Sequence, residues 1–301
     1  MAKKSGGGGC LVVVLVVGLL AFGYYKWQHG SSSAPPEGVD TGGGSGRYVA
    51  LGDSYTSAPR TGRQAGTPAG CDRSADNYPH LVSAKLKPAQ FADVSCSGAT
   101  TANLTGAQKT GNGTNPPQLD AVTAETTLVT VGIGGNDVGF FSYASGCATT
   151  NQNTSPCRDR LTAGGRDELA ERIDATAPKV AAVLDRIHQK APKAKVVVVG
   201  YPAVLPDGNG CWPSLPFGAG DIEYFRGALG KLNKMLEDQA DAHRAGYADT
   251  ATPGKGHDVC SASDKRWIEG LLPASPAAPL HPNARGEQGM ADAVLAVLKL
   301  P

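Results

Sequence analysis

Apolar and polar positions from residue 47 onward alternate between short β-branched runs and longer amphipathic stretches. Arg47-Tyr-Val-Ala-Leu51 is a brief apolar run that stops at Gly52-Asp53-Ser54, the pattern of a strand followed by a turn. Residues 91–94 predict a second strand. Thr127-Leu-Val-Thr-Val-Gly-Ile133 and Lys195-Val-Val-Val-Val199 lack strict alternation, as expected of strands buried on both faces. Between and after them, residues 77–86, 166–189, 221–244 and 286–298 carry helical periodicity. In the third of these, Ile222, Phe225, Leu229, Leu232 and Leu236 recur at three- and four-residue steps. Pro178 is expected to break or kink the second, because it lacks an N–H and crowds the preceding turn. Strands alternating with helices imply βαβ units. The predicted fold class is α/β, a three-layer α/β/α arrangement on a parallel central sheet. In such sheets sites lie at the carboxyl ends of strands, where Gly52-Asp53-Ser54 and Gly134-Gly135-Asn136-Asp137 both fall.

The chain ahead of this pattern is different. Lys3 and Lys4 precede an apolar run from Cys10 to Tyr25, closed by Lys26 and Trp27, with a Gly/Ser/Pro-rich stretch after it. A basic flank before an apolar core is the mark of an export signal. The run of about 16 residues is short against the roughly 20 of a spanning helix. It lacks a small-x-small cleavage site and ends in aromatic and basic residues that favour a membrane interface. Residues 1–28 are therefore read as an uncleaved signal anchor in preference to a cleaved signal peptide. Residues 29–46 are read as a flexible linker, and residues 47–301 as one catalytic domain. The catalytic part is expected outside the cytoplasm, membrane-anchored or secreted.

Composition narrows the partners. The 28 basic and 27 acidic residues give a formal charge of +1, so there is no electrostatic footprint for nucleic acid. Of seven cysteines, Cys10 lies in the leader region; Cys71, Cys96, Cys147, Cys157, Cys211 and Cys260 remain. An even number in an exported domain suggests three disulfides, and six cysteines permit fifteen pairings. Sequential pairing is our expectation among them. No C-x-x-C spacing accompanies a histidine pattern, so neither a zinc site nor any cofactor is expected.

Four blocks carry the chemistry. Tyr48-Val-Ala-Leu-Gly52-Asp53-Ser54-Tyr55 resembles the first block of the SGNH/GDSL hydrolases. Ser95-Cys96-Ser97-Gly98-Ala99 resembles the glycine block, Gly134-Gly135-Asn136-Asp137 the asparagine block, and His281-Pro282-Asn283 the histidine block. They occur in the family's order, and with the cysteines and Gly256-His257-Asp258-Val259-Cys260 they are most similar to the secreted actinobacterial esterase and lipase branch. That resemblance implies a flavodoxin-like sheet and the sequential pairs Cys71–Cys96, Cys147–Cys157 and Cys211–Cys260. It also implies an exported ester hydrolase whose partner is a small-molecule or lipid ester. Carbohydrate O-deacetylation on the same site, or a non-catalytic surface binding domain, are the alternatives.

The physical roles follow from acyl transfer. A serine hydroxyl needs an adjacent base, which makes Ser54 the candidate nucleophile and His281 the candidate base and acid. By resemblance, the oxyanion donors are the backbone N–H groups of Ser54 and Gly98 and the amide of Asn136. Asp53 and Asp137 are expected to cap or brace their turns. One position departs from the family pattern: the aspartate usually found three residues before the histidine is Ala278 here. We expect a dyad, with the Ala278 carbonyl orienting His281. A remote carboxylate, Asp258 or Asp264, is the alternative. The segment 140–165 is expected to border the substrate pocket.

Overall fold

The computed structural model describes residues 46–299 except Ser145. The expected leader, residues 1–28, and all but the last residue of the linker lie outside the described residues. No helix among the described residues is long and apolar enough to cross a membrane.

Five parallel strands form the central sheet in the order β2 (Gln90–Asp93), β1 (Arg47–Gly52), β5 (Thr126–Gly132), β6 (Lys195–Val199), β7 (Gly246–Ala248). This is the flavodoxin-like order, and it places a topological switch point between β1 and β5. Strands β3 (Gln108–Thr110) and β4 (Gly113–Asn115) form a separate antiparallel hairpin. The helices that matter most are α1 (Ser54–Ser57), α2 (Tyr78–Leu86), α3 (Gly135–Val138), α4 (Phe140–Ala144), α5 (Glu168–Lys190), α6 (Ala219–Ala242) and α7 (Ala284–Leu298).

The strands lack polar alternation because each face meets helices. Val49, Leu51, Val129, Val131, Val196 and Val198 pack in one core with Ile173, Val180 and Leu184 of α5 and Ile222, Leu232 and Leu236 of α6. The intervening residues Tyr48, Ala50, Leu128, Val197 and Val199 pack in a second core with Tyr78 and Val82 of α2 and Met290, Val294 and Leu295 of α7. Burying a large aliphatic side chain contributes about 1.5–3 kcal/mol, so both faces are held by many such terms.

One expectation needs correction. Helix α5 runs unbroken through Pro178. Proline and the residue four before it, Asp174, both lie on the solvent face, so the carbonyl that loses its N–H partner is left to water. Meanwhile Ile173, Thr176, Val180, Val183 and Leu184 bury the stripe on either side of it. The edge strand β7 and the β3–β4 hairpin carry no periodic signal, since three residues are too few to show one. The disulfides are the sequential three, Cys71–Cys96, Cys147–Cys157 and Cys211–Cys260.

Candidate active site

Ser54 begins α1 directly after β1. Asp53 caps that helix by accepting from the Tyr55 N–H at 2.9 Å, while its own N–H donates to the Gly132 carbonyl of β5. Gly52 is needed by close approach: a Cβ there would stand 2.2 Å from Thr56 Oγ1 and 2.6 Å from the Gly132 carbonyl oxygen. The turn therefore lifts Ser54 onto the carboxyl edge of the sheet at the switch point. Ser54 is largely buried and lines a cavity.

His281 arrives from the other end of the chain. Its Nε2 lies 2.9 Å from Ser54 Oγ, across 227 residues of sequence. Its Nδ1 lies 2.8 Å from the carbonyl oxygen of Pro279. The expected acceptor, Ala278, is therefore replaced by its neighbour. The Ala278 carbonyl is already taken by the His281 backbone N–H at 3.2 Å, closing a four-residue turn. With proline second and Leu280 third at φ +62°, the turn follows the type II pattern. That reversal turns the Pro279 carbonyl toward the ring. Asp258 accepts from the Cys260 N–H and so braces its own turn.

The histidine segment is clasped on several sides. Tyr55 Oη donates to the Leu280 carbonyl at 2.7 Å, and its ring lies 4.9 Å from the imidazole. Thr61 Oγ1 donates to the Pro282 carbonyl at 2.9 Å. Asn283 caps α7 through the Arg285 and Gly286 N–H groups, and its Nδ2 donates to the fully buried Glu269 at 2.7 Å. Burial, the largest influence, lowers the His281 pKa from its ordinary value of 6.5. The Pro279 contact opposes that shift, and the Arg60 charge adds to it. At neutral pH the imidazole is thus a free base, with Nδ1–H donated to Pro279 and the Nε2 lone pair facing Ser54.

The two remaining blocks border the same space. Gly98 has φ +77°, a conformation that glycine adopts without a Cβ penalty. A Cβ there would meet only Gln108 Nε2 at 3.8 Å, so its backbone angle rather than crowding requires glycine. The Cys71–Cys96 bond and the Ser97 N–H to Cys71 carbonyl bond at 3.0 Å hold this turn from behind. Asn136 follows β5 on α3. One Nδ2 hydrogen goes to the Ala99 carbonyl at 2.9 Å, which leaves the second for the cavity that Asn136 lines. Asp137 accepts from Thr101 N–H and Oγ1 at 2.9 and 2.6 Å, binding the glycine and asparagine segments together.

Tyr201 was absent from our expectations as a site residue. Its hydroxyl donates to Asp53 Oδ2 at 2.5 Å and accepts from the Gly135 N–H at 2.8 Å, so it ties the serine turn to the asparagine turn. Asp53 is 1% exposed, and burial raises its pKa to about 7 against the lowering effect of Tyr201. The one available sequence signal was position: Tyr201 stands just beyond the carboxyl end of β6, where sites in such sheets gather.

Ser54, Gly98, Asn136 and His281 line one cavity of about 250 Å³. Much of its lining is apolar, including Phe140, Phe141, Ala144, Phe217, Phe225 and Leu232. The 140–165 segment thus contributes through its first helix. No group of three or more potential metal-ligating side chains occurs among the described residues.

The chain is similar to known proteins over most of its length. Residues 50–288 match the model of the GDSL-like Lipase/Acylhydrolase family. The chain is 39% identical over 262 residues to Lipase 2 of Streptomyces coelicolor, covering 84% of this chain and 86% of that protein. The crystal structure of phospholipase A1 from Streptomyces albidoflavus superposes with a TM-score of 0.70 at 30% identity, covering 84% of this chain and 98% of that one. The extracellular lipase of Streptomyces rimosus gives a TM-score of 0.69, also at 30% identity, with the same coverage.

Proposed function

Since the chain belongs to the GDSL-like lipase/acylhydrolase family and is an ester hydrolase, we propose that it works through a Ser54 acyl-enzyme with His281 as base and acid. The observation that carries this reading is the 2.9 Å contact between Ser54 Oγ and a histidine whose other nitrogen is occupied. His281 Nε2 takes the hydroxyl proton as Oγ attacks the acyl carbonyl, then returns it to the leaving alkoxide, which departs as the alcohol. A water molecule repeats the cycle, giving its proton to His281 and its oxygen to the acyl group, and Ser54 regains its hydrogen. The Pro279 carbonyl stabilises the imidazolium formed at each step, in place of the carboxylate of a triad.

The developing oxyanion takes hydrogen bonds from the Ser54 and Gly98 N–H groups and Asn136 Nδ2. Neither backbone N–H has a protein acceptor among the described residues, which supports their reservation for substrate. Fixed donors of this kind act where water would otherwise have to reorganise. The apolar cavity beyond them favours acyl chains longer than acetyl, and so a lipid-like ester over an O-acetylated carbohydrate. We also place the catalytic domain outside the cytoplasm. Three disulfides persist in oxidising surroundings, and the Streptomyces rimosus relative is an extracellular lipase.

The test is hydrolysis of nitrophenyl acetate, butyrate, octanoate and palmitate by the full chain, expressed where disulfides form. Ser54→Ala is expected to abolish turnover. Asn136→Ala is expected to lower kcat by about 10²–10³, the usual effect of losing one oxyanion donor. Turnover that survives in Ser54→Ala, beside a folded and inhibitor-labelled parent, sinks the nucleophile assignment. Turnover confined to acetate moves the substrate to O-acetyl esters.

A further inference from the structure

Helix α6 presents two adjacent stripes to two different cavities. Phe225, Leu229 and Leu232 line the site cavity, at the four- and three-residue spacing of one helical face. Arg226, Leu229, Gly230 and Asn233, one step around the helix, line a second cavity of about 160 Å³. Leu229 belongs to both. So do Val204 and Leu205, from the segment that follows β6. All three side chains are partly exposed rather than buried, as a wall with free space on either side requires.

We infer that Leu229, Val204 and Leu205 form a partition that ends the acyl channel and so sets the longest chain it takes. The inference rests on the acyl-enzyme reading above, because it needs an acyl group attached at Ser54 and running along the apolar wall. A chain short enough to stop at the partition packs along Phe217, Phe225 and Leu232. A longer one must bend back toward solvent, and its last methylenes gain nothing from burial. The second cavity is suited to receive a chain once the partition is thinned. Pro202, Ala203 and Ala251 line it with no polar side-chain atom. Its charged residues are partly engaged already: Arg226 donates to the Pro206 carbonyl at 2.8 Å and lies 3.7 Å from Asp207, and Asp258 accepts from Cys260 N–H. Asn233 is paired with the Tyr201 backbone and the remaining charged residue, Lys255, is exposed to water, so a hydrocarbon tail can enter beside them.

The experiment measures kcat/KM of the full chain on nitrophenyl esters of four to eighteen carbons, for the parent, Leu229→Ala and Val204→Ala. Each methylene that gains a buried position favours the longer ester by roughly fourfold, from about 0.8 kcal/mol per CH₂. Admitting two further methylenes should therefore raise the ratio of the longest to the mid-length esters by about tenfold or more in Leu229→Ala. A smaller rise is expected in Val204→Ala, which removes less volume. A merely loosened fold would lower kcat/KM for all chain lengths together and leave that ratio alone. Thermal unfolding and the rate of fluorophosphonate labelling identify which variants are folded and have a reactive serine. Val204→Ala, the milder truncation, carries the test if Leu229→Ala does not fold. An unmoved ratio in a folded, labelled variant overturns the partition. A parent whose ester hydrolysis survives Ser54→Ala overturns the acyl-enzyme reading itself, and the partition with it.

Discussion

Replacing Tyr201 with phenylalanine deletes one hydroxyl from the centre of the site and leaves the ring's packing intact. That hydroxyl donates to Asp53 Oδ2 at 2.5 Å and accepts from the Gly135 N–H at 2.8 Å. Asp53 and Tyr201 are 1% and 4% exposed, so water does not readily replace it. A hydrogen bond to a charged group contributes about 1.5–3 kcal/mol and a neutral one about 1 kcal/mol, which puts the loss near 3 kcal/mol. For a domain of this size that lowers Tm by roughly 6–12 °C. The pH dependence should move too. Burial raises the Asp53 pKa to about 7, and the Tyr201 bond is the largest influence pulling it down. A carboxyl raised in the folded state adds stability that is fully present below its ordinary pKa and is lost as pH rises through about 7. Without Tyr201 Oη the folded pKa rises further, and that loss shifts to higher pH. Because Gly135 precedes Asn136, kcat should fall more than KM rises. Urea unfolding between pH 5 and pH 9, read at constant m, and kcat/KM on nitrophenyl butyrate measure both effects. A variant within about 0.5 kcal/mol of the parent, with the same pH profile and kcat, refutes the bridging role, since changes of that size are ordinary for surface positions.

The His281 pKa lies below 6.5, so the acid limb of kcat/KM should have its midpoint below that value; a midpoint at or above it, by kinetics or by NMR titration of the ring, contradicts the burial argument. By the same linkage, a base depressed in the folded state gives stability present above 6.5 and lost as pH falls through the folded value. Converting Cys71 and Cys96 to serine opens a loop of 25 residues, which should cost about 3.5 kcal/mol in a urea titration under non-reducing conditions. Since the same bond backs the Gly98 turn, kcat should fall alongside stability; unchanged kcat in the folded variant separates the disulfide from the oxyanion donors.

Some of this molecule was legible from order along the chain. Strands β1, β5 and β6 show in the sequence because both faces are buried, and burial on both faces leaves an unbroken β-branched run. Ser54, Gly98, Asn136 and His281 could be singled out because their four short blocks resemble, in order, those of the SGNH/GDSL hydrolases, and a serine beside a histidine suits acyl transfer. Asp53 was legible too, since a short carboxylate in a tight turn bonds locally, as Asp53 does to Tyr55. The partner of Asp137 was not, because it bonds Thr101 across 36 positions. The tertiary structure decided what depends on contacts across the chain or on a single dihedral angle. The positive φ of Leu280 chose the Pro279 carbonyl over that of Ala278. Tyr201 acts on residues 148 and 66 positions away, and no local pattern records such a separation. Pro178 was tolerated because the carbonyl it orphans faces water, which only the orientation of α5 against the sheet determines. Local chemistry is written in neighbouring residues; the partner that each group finds is decided by packing.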